Sequence, residues 1–140
     1  MGRGSLSSAE FSLIFDGGSR GNPGEAYGSF RLQRPGEKPP PAERLRFGQG
    51  TSNEAEYRAL IAGLQRLHQE LRRSGLEPTA VRLKVSGDSR LVINQVQGTW
   101  KTRNPRMRSL HRQARRLLDP LGEVHLRHHP RRVSVRALGH

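Results

Sequence analysis

The sequence predicts an α/β domain, a five-stranded mixed sheet with helices on both faces. Three patterns predict it. Three runs of strand character follow one another through short, turn-rich links. A long amphipathic helix then separates the third run from a fourth, and strand and helix character alternate from there to a fifth. Strands joined by tight turns pair antiparallel, whereas a helical crossover returns a strand parallel to one already in place. Together these patterns describe a helix-covered mixed sheet.

The first strand is carried by Phe11, Leu13 and Phe15 and ends at Asp16; Gly17-Gly18-Ser19-Arg20-Gly21-Asn22-Pro23-Gly24 reads as a loop. Ala26 to Arg34 forms the second strand, with Tyr27, Ser29 and Arg31 on one side. A proline-rich tip at 35–41 precedes a third strand from Glu43 to Gly48. From Thr51, the residues Tyr57, Leu60, Ile61, Leu64, Leu67 and Leu71 recur every three or four positions, one face of a helix that Gly75 and Pro78 end. Val81, Leu83 and Val85 make a fourth strand leading to Gly87-Asp88. A short helix around Leu91 to Val96, a second amphipathic helix from about Arg106 to Leu118 and a fifth strand from Val124 to His128 follow. No further helix is expected before His140, so a final helix is expected to be lacking. Residues 1–8 read as a flexible leader, and 9–140 as one domain.

Charge narrows the partners. Lys and Arg number 25 against 12 Asp and Glu, a formal net charge of +13. Lysine occurs only at 38, 84 and 101, so arginine supplies the other 22. The planar guanidinium pairs with phosphate through two hydrogen bonds, so this excess points to a polyanion, either nucleic acid or an anionic membrane. The chain has no cysteine, which excludes disulfides, thiolate nucleophiles and cysteine-based zinc sites. No run reaches the roughly 20 apolar residues of a membrane span, and 1–10 lack the apolar centre of a signal peptide. The expected compartment is the cytoplasm, and the expected state a monomer.

Two of the three aspartates, Asp16 and Asp88, fall at the C-terminal ends of expected strands, where open α/β sheets bind ligands. Parallel neighbours would project these carboxylates side by side. Such a pair repels unless a cation lies between its members, and oxygen ligands suit Mg²⁺ or Mn²⁺. Asp88 also reads as a helix N-cap. The helix start contributes Glu54 and Glu56. Thr51 with Glu54 matches a capping box, which would leave Glu56 for chemistry; Asn53 with Glu56 matches one equally and would reverse the roles.

Phe15-Asp16-Gly17-Gly18-Ser19-Arg20-Gly21-Asn22-Pro23-Gly24, Thr51-Ser52-Asn53-Glu54-Ala55-Glu56-Tyr57-Arg58-Ala59-Leu60 and Gly87-Asp88-Ser89-Arg90-Leu91-Val92 resemble, in order, the three motifs of type 1 ribonuclease H. The segment from Gln95 to Lys101 and Asn104-Pro105-Arg106-Met107 are similar to the archaeal-like and related bacterial members. The resemblance spans roughly 11–132. It implies an endonuclease that hydrolyses the RNA strand of an RNA–DNA hybrid and leaves 5′-phosphate and 3′-hydroxyl ends. It implies that Asp16, Glu56 and Asp88 hold two divalent ions, Mg²⁺ or Mn²⁺, one activating the attacking water and the other stabilising the leaving 3′ oxygen. It also implies that Gly17, Gly18, Ser19, Arg20 and Asn53 meet ribose 2′-hydroxyls, which distinguish RNA from DNA. By the same resemblance, Asn22, Thr51 and Ser52 contact phosphates, Arg90 belongs to the substrate-binding set, and Trp100 and Lys101 with the basic helix line a groove for the DNA strand. For Trp100, core packing is the competing reading.

The family's fourth carboxylate has no counterpart. After Pro130-Arg131, Ser134 stands at the family's asparagine position and Leu138 at its aspartate position. His140 could supply a ligand, through its imidazole or its α-carboxylate, or three carboxylates could suffice. His128 and His129 lie where many members carry a mobile histidine, and His129 reads as a basic surface contact. The competing functions are a non-catalytic hybrid- or double-strand-binding protein on the same fold and, more remotely, a basic packaging protein. Clustered acids at strand ends serve no purpose in a packaging protein.

Overall fold

The computed structural model describes residues 9–139. Five strands, β1 (Ala9–Gly21), β2 (Gly24–Gln33), β3 (Glu43–Gly50), β4 (Val81–Gly87) and β5 (Glu123–His128), form one sheet in the order β3-β2-β1-β4-β5. β1–β2 and β2–β3 are antiparallel, and β1–β4 and β4–β5 are parallel. Four helices complete the fold: α1 (Ser52–Ser74), α2 (Arg90–Gln97), α3 (Pro105–Leu118) and α4 (Arg131–Leu138).

The 3.6-residue periodicity of α1 decides the core. Tyr57, Leu60, Leu64, Leu67 and Leu71 are buried in one cluster with Phe11, Leu13 and Phe15 of β1 and Phe30 of β2. Each such side chain contributes roughly 1.5–3 kcal/mol by leaving water. Val92, Ile93 and Val96 of α2 and Met107, Leu110 and Ala114 of α3 join the same cluster. Among the described residues no helix is long and apolar enough to cross a membrane.

Two expectations need correction. The segment 17–24 is not a loop. β1 and β2 stay paired as far as Gly21 opposite Gly24, leaving Asn22 and Pro23 as the turn. Glycine makes the tight reversal possible, since Gly21 has φ +85° and a Cβ on Gly24 would lie 1.8 Å from the Arg20 carbonyl oxygen. The second correction concerns the final helix, which is present. α4 buries only Ser134 and Leu138, one turn apart, and Gly139 closes it with φ +82° and an N–H donated to the Val135 carbonyl. A two-residue stripe among arginines is too short a pattern to read from sequence. The surface that makes the helix worthwhile is the far side of the sheet. Leu45 and Phe47 of β3 turn toward the core with α1, so the alternate residue Arg44 points the other way, and its Nη2 donates to the Leu138 carbonyl at 3.3 Å. Helices therefore cover both faces. The expected leader, residues 1–8, lies outside the described residues, as does His140.

The closest approach of helix to sheet falls at Gly17, where a Cβ would lie 2.5 Å from the carbonyl carbon of Ala55 and 2.6 Å from the amide nitrogen of Glu56. Gly17→Ala is expected to push the start of α1 off β1 and to lower stability by about 1–3 kcal/mol. Urea denaturation measures the loss; an unchanged midpoint would mean that the two backbones separate at no cost.

Candidate active site

Strand register builds the acidic centre. Phe15 of β1 lies opposite Gly87 of β4 in parallel pairing. Asp16, still within β1, and Asp88, just past the end of β4, are each one residue further along and therefore lie side by side. Glu56 arrives from the first turns of α1, which Gly17 allows against β1. Carboxylate oxygens of Asp16, Glu56 and Asp88 all lie within 4.8 Å of one another.

Neither Glu56 nor Asp88 is used as a helix cap. Thr51 Oγ1 accepts from the Glu54 N–H at 3.1 Å, and Glu54 Oε1 accepts from the Thr51 N–H at 2.8 Å. This is the Thr51–Glu54 capping box, and it excludes the Asn53–Glu56 frame. Asp88 is likewise not the cap of α2, because Ser89 Oγ accepts from the Val92 N–H at 3.2 Å.

Burial and mutual repulsion act together on the cluster. Asp16 is pushed up from 3.8 to about 6, first by burial and then by the charge of Asp88; Arg131 partly opposes the rise. Glu56 is pushed up from 4.5 to about 10 by burial, then by Asp16 and Asp88. Glu56 Oε1 and Asp88 Oδ2 are buried with no hydrogen-bond partner in the protein. Buried carboxylate oxygens without donors and an all-oxygen ligand set fit hard divalent cations such as Mg²⁺ or Mn²⁺.

The β1–β2 hairpin is tied to the start of α1 beside this centre. Ser19 Oγ lies 3.1 Å from Ser52 Oγ, and Asn22 Oδ1 accepts from the Ser52 N–H at 3.1 Å. With that oxygen engaged, the Asn22 amide nitrogen remains a donor. Asn22, Thr51, Asn53 and Glu54 line a pocket of about 270 Å³ with Asn104, Arg106 and Met107. Sequence reading left Asn104 and Arg106 out of the site. The Asn-Pro pair was the available signal, since Asn104 caps α3 through the Arg106 and Met107 N–H groups and Pro105 opens the helix. Trp100 is 47% exposed, and with Lys101, Arg108 and Arg112 it lines a separate groove of about 330 Å³. Arg20 is exposed at the hairpin end of β1, and Arg90 is exposed at the first position of α2.

Residues 44–138 match the family model described as reverse transcriptase-like. The chain is 38% identical over 124 residues to ribonuclease HI of Halobacterium salinarum, covering 88% of this chain and 58% of that protein. The crystal structure of RNase H1 from the same archaeon superimposes with a TM-score of 0.77 at 34% identity, covering 91% of each chain. This chain belongs to the type 1 ribonuclease H family. LC11-RNase H1, solved in complex with an RNA/DNA hybrid, superimposes with a TM-score of 0.80 at 26% identity, covering 91% of this chain and 90% of that one. The chain spans 30% of the length of a bifunctional Mycobacterium tuberculosis protein to which it is 36% identical over 117 residues.

For a type 1 ribonuclease H the departure lies in α4. Leu138, where the motif resemblance puts a fourth carboxylate, is buried and apolar, and no residue of this helix is acidic. Asp119 is far from it in role, capping α3 and paired with Arg115. His129 is not the surface contact that its neighbours suggest. It is 7% exposed, Nε2 lies 2.7 Å from Ser134 Oγ, and its backbone N–H donates to the Gly87 carbonyl at 2.9 Å. Burial depresses its pKa, so the ring ties α4 to the Asp88 end of β4 without adding charge.

Between pH 4.5 and about 10 the folded protein holds the Glu56 proton more tightly than the unfolded chain does. Metal-free stability therefore falls as pH rises through that window. In chelator, Glu56→Gln should melt above the wild type at about pH 8 and show a shallower decline from about pH 6.5 to 9. Identical slopes in thermal denaturation would remove Glu56 as the strained acid.

Proposed function

We propose that this chain hydrolyses the RNA strand of RNA–DNA hybrids, leaving 5′-phosphate and 3′-hydroxyl ends. The observation that carries the reading is the convergence of Asp16, Glu56 and Asp88 within 4.8 Å, with buried carboxylate oxygens facing one another beside the β1–β2 hairpin. A binding protein gains nothing from acids held at such electrostatic cost, whereas a nuclease uses them to hold cations against a scissile phosphate. The crystal structure of LC11-RNase H1 in complex with an RNA/DNA hybrid supports the substrate.

Asp16, Glu56 and Asp88 would hold the ions. Two divalent cations bound there supply activation of the attacking water and stabilisation of the leaving 3′ oxygen. The remaining work belongs to the chain's own groups. Gly17 and Gly18 leave the backbone bare, and Ser19 and Asn53 offer side-chain partners, so ribose 2′-hydroxyls can be read directly. The pocket formed by Asn22, Thr51, Asn53, Asn104 and Arg106 offers amide, hydroxyl and guanidinium donors to a backbone phosphate at the start of α3, and the Glu54 carboxylate that also lines it is engaged by the Thr51 N–H. Trp100, Lys101, Arg108 and Arg112 give the second strand an aromatic surface set among cations. Every acid of the site comes from one chain, in keeping with a monomer. The three carboxylates suffice in this reading, without His140, which lies outside the described residues.

The test is cleavage of a labelled hybrid with Mg²⁺, with Mn²⁺ and with chelator. Asp16→Asn is expected to lose at least about a hundredfold in rate while still binding hybrid, since it removes charge from the ion site and leaves the grooves intact. Deletion of His140 is expected to leave the rate within about twofold, which corresponds to less than 1 kcal/mol of barrier. Hybrid binding with no cleavage under either metal would make this a binding protein on a nuclease fold. Affinity should also fall steeply between about 50 and 200 mM salt as phosphate counterions are released. An affinity flat across that range would place the substrate elsewhere on the surface.

A further inference from the structure

On the side of the sheet away from α1, a groove of about 500 Å³ is lined by Arg20, Tyr27, Arg44 and Arg46, and no carboxylate lines it. Register places it relative to the acidic centre. Asp16 lies opposite Ser29, and Ser29 opposite Arg44; Gly18 lies opposite Tyr27, and Tyr27 opposite Arg46. Side chains directly opposite in a sheet share a face, and adjacent strands are about 4.8 Å apart. Arg44 and Arg46 therefore sit two strands from Asp16 and Gly18, roughly 10 Å away on the same face. Tyr27 bridges the gap, its hydroxyl 2.8 Å from where a Cβ on Gly18 would stand. The groove is thus continuous with the hairpin assigned above to the RNA strand. It lies across the sheet from α1, the side on which α3 packs.

We infer that this groove carries a single-stranded extension of the RNA strand away from the active site. The inference rests on the hybrid-cleaving reading above. Charge complementarity favours a phosphate chain, since three arginines line the groove and Glu25, paired with Arg20 at 3.9 Å, is the nearby acid. A single strand fits better than a duplex. The C-terminal end of α4 borders the groove, where Arg44 Nη2 is held by the Leu138 carbonyl. Tyr27, 37% exposed, offers a ring on which an unpaired base can stack, and only an unpaired strand presents that face.

The experiment measures affinity in chelator, at about 0.15 M salt, for a blunt hybrid and for the same hybrid carrying a short single-stranded extension. The extension is placed on either end of the RNA strand or on either end of the DNA strand. An RNA extension of one polarity should tighten binding on the order of tenfold, the scale of one or two stacked, charge-paired nucleotides. Arg46→Glu should abolish that gain while leaving the blunt hybrid within about twofold, and Arg46→Lys should keep most of it. The inference is overturned if neither RNA extension improves binding, if the gain survives Arg46→Glu, or if DNA extensions give the same gain. Failure of the wild type to bind the blunt hybrid overturns the proposed function itself, and this inference with it.

Discussion

Three carboxylates held within 4.8 Å of one another repel, and most of the local structure exists to hold them there. Glu56 answers by keeping its proton to about pH 10, and Asp16 keeps its proton to about pH 6. Neither shift would survive if the side chains could swing into water. The parallel pairing of β1 with β4 fixes two of the acids, and the buried stripe of α1 fixes the third. The apolar core thus offsets a strain located a few ångströms from it, at the point where binding a cation would relieve the repulsion.

Glycine at 17 is the geometric counterpart of that electrostatics. Any side chain there would collide with the backbone of Ala55 and Glu56. The bare backbone lets α1 close on β1 and so brings Glu56 to Asp16.

Around this acidic centre the surface is strongly cationic, and the fold separates the two signs. The acids gather where β1, the end of β4 and the start of α1 meet, whereas arginines occupy the hairpin end of β1 and β3 on one side and α3 on the other. A cationic rim of this kind attracts polyanions that the acids alone would repel. α4 adds no acid to the centre. Leu138 gives α4 an apolar anchor on the sheet, and Arg131 moderates the charge on Asp16. The centre is correspondingly less negative than one with four carboxylates.

The sequence by itself determined the antiparallel pairing of the first three strands, the parallel return of the fourth and the amphipathic α1, from alternation and 3.6-residue periodicity. It also singled out Asp16 and Asp88 as acids closing apolar runs, whereas Glu56 was picked out by the resemblance of its motif. It left the Thr51 and Asn53 capping frames equivalent on local grounds, because both spacings satisfy a capping box. Only packing of α1 on β1 chose the frame that frees Glu56. The tertiary structure also decided that 17–21 continues β1, that α4 forms, and that His129 is buried against Ser134. In each case the deciding partner lies far along the chain or on the other face of the sheet. A short segment rich in glycine or arginine carries no periodicity strong enough to announce such a partner.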